Sequence, residues 1–313
     1  MENLSVLETA VRLSYLVAAG AFVIGLHQMN SPATARQGNR LSAAGMTLAV
    51  GATAILLAVG HGDVQAGTTA WIIIAVGLVV GGGAGFWTAR SVKMTAMPQL
   101  VSVFNAVGGG AAALIGIDEY LRIAHAGAVP ALETSVAVVL DVIIGSVTFT
   151  GSIIASGKLQ GLISGAPILI PGGRVVTAAL AVITVGAAIF LFAGNVSEPV
   201  LLLIVLAALV FGITMVLPIG GADMPVVISL LNSFTGTAVA MAGFVIGNEI
   251  MIIAGALVGA SGAILTKLMA DAMNRSVLNI MIGGFGGGDG VAGAAVGAGG
   301  SVREIGPDDA AIQ

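Results

Sequence analysis

The side chains best placed to do chemistry in this chain are amides and hydroxyls set at helical spacing inside an apolar run. In Ile219–Gly236, IGGADMPVVISLLNSFTG, Asp223 stands just ahead of a Met224-Pro225 start. Ser229, Asn232 and Ser233 follow it and share one small, polar helix face with Gly236, Ala240 and Gly243, while Val227, Leu230, Leu231, Phe234 and Met241 lie on another. An amide does not take up and release protons at physiological pH, but it offers donors and an acceptor, so it can hold a water chain or orient a titratable group. At membrane depth such a group must find its partners in protein or in trapped water, so this face is expected to point inward. Pro225 costs little in a first turn, where the N–H groups have no helical partner. Asp223 is expected to cap those N–H groups, its charge suiting the positive end of the helix dipole. The Gly220-Gly221 pair reads as a turn shaped closely against another surface.

The same pattern occurs earlier. Met97–Gly116 aligns without gaps to Met224–Gly243 with eight of twenty positions identical, among them Met-Pro, Ser102 with Ser229, Asn105 with Asn232 and Gly109 with Gly236. Matched Pro, Ser and Asn in register mark an internal repeat. Each asparagine falls about 10 Å into its helix, deep enough to need a partner and shallow enough for water to reach it. Asn105 suits either an interhelical hydrogen bond, worth roughly 0.6–2 kcal/mol, or a place on a water path. Asp141 lies inside the fifth apolar run, and it suits either a proton-pathway carboxyl or an acid in water near the interface. His27, His61 and His125 sit at run ends or in loops, and neither metal-ligand spacing nor a nucleophile triad is present. The GGFGGGDG stretch has no strand before it and no helix after it, which sets it apart from a nucleotide-binding turn.

The elements that must hold these groups are membrane helices. The 313 residues are 57% hydrophobic and 8% charged, against about 25% charged in soluble proteins. The composition predicts an all-α, polytopic transmembrane bundle with nine spans centred near Ala18, Val50, Leu78, Val107, Gly145, Ile183, Ala208, Phe234 and Gly259. The repeat then relates spans four and five to spans eight and nine. Glycine ladders at Gly77, Gly81 and Gly85 and at Gly255 and Gly259 predict close helix packing, with an ion path as the other use. The absence of cysteine excludes disulfides and thiolate metal sites, and a net charge of −4 does not suit nucleic acid. The N-terminus has acids and no basic leader ahead of its apolar run, unlike a cleaved signal. Residues 1–274 read as the transmembrane domain and 275–313 as a cytoplasmic linker, with ten glycines between Gly283 and Gly300, leading toward a soluble domain beyond it.

Charge sets the orientation. With the N-terminus outside, Arg36, Arg40, Arg90, Lys93, Lys158, Arg174, Lys267, Arg275 and Arg303 all fall on the inner side, nine of the eleven basic residues. Arg12 and Arg122 fall outside, with Asp63, Asp118, Glu119, Glu133, Glu198 and Glu249. Both Met-Pro starts then share the cytoplasmic face, so the repeat axis runs along the membrane normal.

Four segments carry a family resemblance: TARQGNRLSAAGM (34–46), SVTFTGSIIASGKLQG (146–161), GGADMPVVISLLNSFTG (220–236) and GALVGASGAILTKLMADAMNRS (255–276). Together they resemble the beta subunit of proton-translocating NAD(P) transhydrogenase, over nearly the whole chain. The resemblance implies a membrane domain coupling inward proton movement to hydride transfer from NADH to NADP⁺, with the hydride step outside this chain. It implies NADP(H) on a C-terminal domain, preceded by a segment like VREIGPDDAAIQ, and NAD(H) on a partner alpha subunit. It places the family's functional asparagine on Asn232; the proton path read from the residues themselves takes in Ser229, Ser233, Asn105 and Asp141 as well. Coupling to the nucleotide domain falls on Gly221, Asp223, Gly262 and Arg275, with Gly255 and Gly259 in the same glycine-rich span. Where many members carry a relay histidine on the fourth beta span, this chain has Asn105. A small alpha membrane subunit is then expected to supply the histidine, in a dimer of protomers in a bacterial cytoplasmic membrane with the C-terminus in the cytoplasm. The rival reading is a secondary transporter or channel with parallel repeats, and the coding sequence after Gln313 separates the two.

Reporter fusions after Lys93, Lys158 and Arg275 should all report the cytoplasm. An external report at any of them contradicts the span count.

Overall fold

The computed structural model describes residues 2–59 and 67–284; His61, Asp63, Arg303 and most of the glycine-rich segment lie outside the described residues. Ten helices run in order: α1 Glu2–Gln28, α2 Ala35–Val59, α3 Thr68–Ser91, α4 Met97–His125, α5 Leu132–Leu159, α6 Gly173–Phe192, α7 Glu198–Val216, α8 Met224–Ile246, α9 Glu249–Ala272 and α10 Val277–Gly284. Nine of these, α1 to α9, are long and apolar enough to cross a bilayer among the described residues. The tenth is a short helix whose Ile280 is buried beside Met215, Ile219 and Val226.

Helix α5 is the centre of the bundle, with α4, α7 and α8 around it. Its buried row includes Val138, Val142, Gly145, Thr148, Ser152 and Ala155. Small residues at that spacing let neighbouring backbones approach, which is the main source of helix association where lipid offers no hydrophobic drive. The closest contact joins α8 to α9. A Cβ on Gly236 would collide with the Gly259 backbone nitrogen and lie 2.8 Å from the Gly255 carbonyl, and one on Gly262 would lie 2.8 Å from the Ser233 nitrogen. Helix α9 in turn carries the α1–α2 pair, whose Phe22, Ala49 and Ala52 close on Ile250.

The repeat is visible in the contacts. Each Met-Pro start follows a single 3-10 turn, Met94–Ala96 before α4 and Gly221–Asp223 before α8. Ser102 Oγ donates to the Ser152 carbonyl of α5 at 2.8 Å, and its counterpart Ser229 donates to the Gly262 carbonyl of α9 at 3.2 Å. Gly109 abuts Gly145 of α5 as Gly236 abuts Gly255 of α9. Between α4 and α8, Asn105 meets Ile228 and Thr235, and Ala112 meets Ala238 and Ala242. The partners advance in the same direction along both helices, so α4 and α8 run parallel, as a repeat about the membrane normal requires.

Helix α3 stands apart. None of its residues is buried, and a Cβ on Gly77, Gly81 or Gly85 would meet nothing within 4 Å. The ladder expected to pack helices closely therefore packs on nothing among the described residues, whereas the one on α9 packs against α8.

Gly236→Ala should lower the stability of the purified chain by about 1–3 kcal/mol, the usual cost of overpacking, while Gly81→Ala should not lower it, since its Cβ meets open space and alanine is the better helix former. Thermal unfolding in detergent checks both.

Candidate proton-path and coupling site

The polar face of α8 is held by backbone acceptors on α9. Ser233 Oγ donates to the Gly259 carbonyl at 2.7 Å, and Thr266 Oγ1 shares the Gly262 carbonyl with Ser229. These bonds exist because α9 presents glycine at 255, 259 and 262, which bares its carbonyls to the neighbouring helix. Ser229, Ser233, Gly236, Ala240 and Gly243 are all buried there, as the inward face predicts.

Asn232 lies at the edge of this face, between the row meeting α9 (Ser229, Ser233) and the row meeting α4 (Ile228, Thr235). It is half-buried, and its amide bonds none of the described residues. Asn105 on α4 is nearly fully buried and donates from Nδ2 to the Ile228 carbonyl at 3.4 Å, one turn before Asn232. Thr235 Oγ1 returns a bond of 3.4 Å to the Asn105 carbonyl. The two asparagines thus flank one α4–α8 seam: one amide is engaged and the other is free to bind water or a further side chain. Asp141 is also fully buried, on the α5 face toward α4, and the interfacial alternative for it does not describe its position in the fold.

A second cluster lies at the Met-Pro end of the bundle. Asp223 does not cap α8: no side-chain bond reaches the first-turn N–H groups. The reason is local geometry. Asp223 is the last residue of the 3-10 turn and already has helical dihedrals, unlike the extended backbone of a capping residue. Its carboxylate turns instead to Arg275, whose Nη1 donates to Oδ2 at 2.6 Å, and Oδ1 is buried without a partner. The pair joins the start of α8 to the chain leaving α9. The tight turn before it rests on the α5–α6 loop, where the Gly221 N–H donates to the Gly165 carbonyl at 2.7 Å.

Lys158 completes this end. It is 4% exposed, and its ammonium donates to the carbonyls of Ala166 (3.3 Å), Ile219 (2.8 Å) and Leu217. Three acceptors match its three protons, and one of them is the C-cap carbonyl of α7, Leu217, at a helix end where a cation is favoured. In the sequence Lys158 reads only as a loop charge. Its place at the end of a run of buried small residues was the one available signal that it turns inward.

These geometries sit within a known sequence family. A family model for the NAD(P) transhydrogenase beta subunit matches residues 11–313. This chain belongs to that family. It is 42% identical over 305 residues to the NAD(P) transhydrogenase subunit beta of Rhodospirillum rubrum, found in two curated sequences, and the match covers 96% of this chain. The chain spans 63% of the length of those relatives.

Lys158→Met should cost about 1–3 kcal/mol through lost charge-assisted bonds. Lys158→Arg should restore little of it, because a planar fork does not match three converging carbonyls. Unfolding of the purified variants measures both.

Proposed function

We propose that this chain is the membrane-spanning part of a proton-translocating NAD(P) transhydrogenase, coupling inward proton movement to hydride transfer from NADH to NADP⁺. The observation that carries the reading is the polar row of α8, fixed on α9 glycine carbonyls and ending in the Asp223–Arg275 pair, in a member of this family. Asn232, Ser229, Ser233, Asn105 and Asp141 line or feed the path. Gly221, Asp223, Gly262 and Arg275 pass its state to a nucleotide-binding domain. Residues 1–274 form the membrane unit, and 275–313 lead to that domain, which holds NADP(H).

NAD(H) belongs to an alpha subunit, and no nucleotide binds these 313 residues. The half-buried Asn232 and the unpacked glycine ladder of α3 leave surface for alpha-subunit helices and for a second protomer. One such helix supplies the titratable histidine that Asn105 replaces. The basic end of the bundle, with Lys158 and Arg275, faces the cytoplasm of a bacterial inner membrane. Asp223 keeps one carboxylate oxygen unpaired at that end, where the nucleotide domain docks.

The test uses the complete beta chain with its alpha partner in vesicles, following hydride transfer from NADPH to an NAD⁺ analogue together with external pH. Proton movement should accompany hydride transfer, and the 313 residues alone should give neither. Asp223→Asn should impair the coupled reaction with membrane assembly intact. Wild-type coupling in that variant rejects its coupling role, and hydride transfer without proton movement in the wild type rejects the function.

A further inference from the structure

The seam between α4 and α5 holds polar atoms that the α8 row does not use. Asp141 is fully buried there, and neither of its carboxylate oxygens has a hydrogen-bond partner among the described residues. Room for the carboxyl comes from Gly116 of α4, where an added Cβ would lie 3.0 Å from Oδ2. Toward the Lys158 end, the same seam carries Thr148 Oγ1, Ser152 Oγ and Gln99 Oε1, all buried and without partners.

Two features divide this seam. About one turn from Asp141, Gly145 and Gly109 bring the two backbones together, and a Cβ on Gly109 would lie 3.0 Å from the Gly145 carbonyl. On the other side, Glu133, Ala137 and Asp141 follow one another at i, i+4 and i+8 on one face of α5. Glu133 and Ala137 line a cleft of about 760 Å³, with Leu132, Thr134, Met241 and Phe244, at the end of the bundle remote from Asp223. A buried, unpaired carboxyl thus lies one helical turn beneath an open cleft, with a backbone-to-backbone contact behind it. The other titratable side chains toward this end of the helices packed here are Asp118, Glu119, Tyr120, Arg122 and His125 on the last turns of α4 and Glu198 in the first turn of α7, and α8 has none between Met224 and Ile246.

We infer that Asp141 is a proton-binding group served from this cleft, with the Gly109–Gly145 contact separating it from the polar atoms toward Lys158. The inference rests on the proton-translocating reading and adds to it the port remote from the nucleotide domain. In the step itself, hydronium in the cleft gives one proton to a carboxylate oxygen. An O–H bond of hydronium breaks, a carboxyl O–H forms, and water remains. The exposed acid Glu133 at the mouth raises the local cation concentration.

The chain contains no cysteine, so a single introduced thiol can report access. In the complete complex, freed of other cysteines and held in oriented vesicles, Ala137→Cys should react with a membrane-impermeant maleimide only from the side remote from Asp223. Asp141→Asn should cut proton movement per hydride at least tenfold, and Asp141→Glu should retain part of it. An unreactive Ala137→Cys, or one labelled only from the Asp223 side, overturns the cleft as the port. That measurement leaves Asp141 intact, so it stands even if the Asn variant fails to assemble. A pumping wild type beside an equally pumping Asp141→Asn overturns this inference and the place of Asp141 on the path, and leaves the functional reading standing. A wild type that transfers hydride without moving protons overturns the functional reading and the inference with it.

Discussion

A hydroxyl or amide inside a bilayer must find its partners in protein or in trapped water, and short side chains on one helix reach the carbonyls of the next only where the two backbones nearly touch. The α8–α9 contact meets that condition with Gly236 on one side and Gly255, Gly259 and Gly262 on the other. Ser229 and Ser233 then reach bare carbonyls on α9 and are buried at little cost. The polar row facing α9 depends on this. Asn232 is left at the seam's edge because the serines, one turn and one residue away, have taken the α9 face. Asp223 is brought within 2.6 Å of Arg275 because α9 runs back beside α8 to the same end of the bundle.

The first half of the repeat uses the same solution for a different end. Ser102, Gly109 and Gly145 repeat the roles of Ser229, Gly236 and Gly255, so α4 and α5 are also joined backbone to backbone. The side chains that differ are the ones with chemistry. Asn105 is tied to α8 where Asn232 is free, and α5 carries a buried carboxyl with no counterpart on α9. A duplicated packing scheme thus carries two unequal polar seams. Lys158 fixes the boundary between them at the basic end, binding the α5 terminus to two carbonyls of the α7–α8 turn and one of the α5–α6 loop.

Local periodicity made much of this legible. The helices, the inward face of Ser229 and Ser233, and the parallel repeat follow from apolar run length, small-residue spacing and the matched Met-Pro starts. What stayed hidden depends on approach between distant residues. Asp223 looked like a cap from its position before Pro225, and only the three-dimensional course of α9 supplies the stronger cation at Arg275. Lys158 carries no local sign that three carbonyls from two other segments converge on it. The ladder of α3 matches that of α9 in spacing, yet it finds no neighbour among the described residues, since spacing specifies a packing surface without specifying what packs on it.

The central claim is that the free amide at the edge of the α8 row is part of the membrane path. Asn232→Leu tests it most directly, because leucine has a similar volume and no hydrogen-bonding group. In the complete complex, proton translocation measured in vesicles should stop in this variant while nucleotide binding by the soluble domains persists. Proton translocation at the wild-type rate in Asn232→Leu would contradict the account.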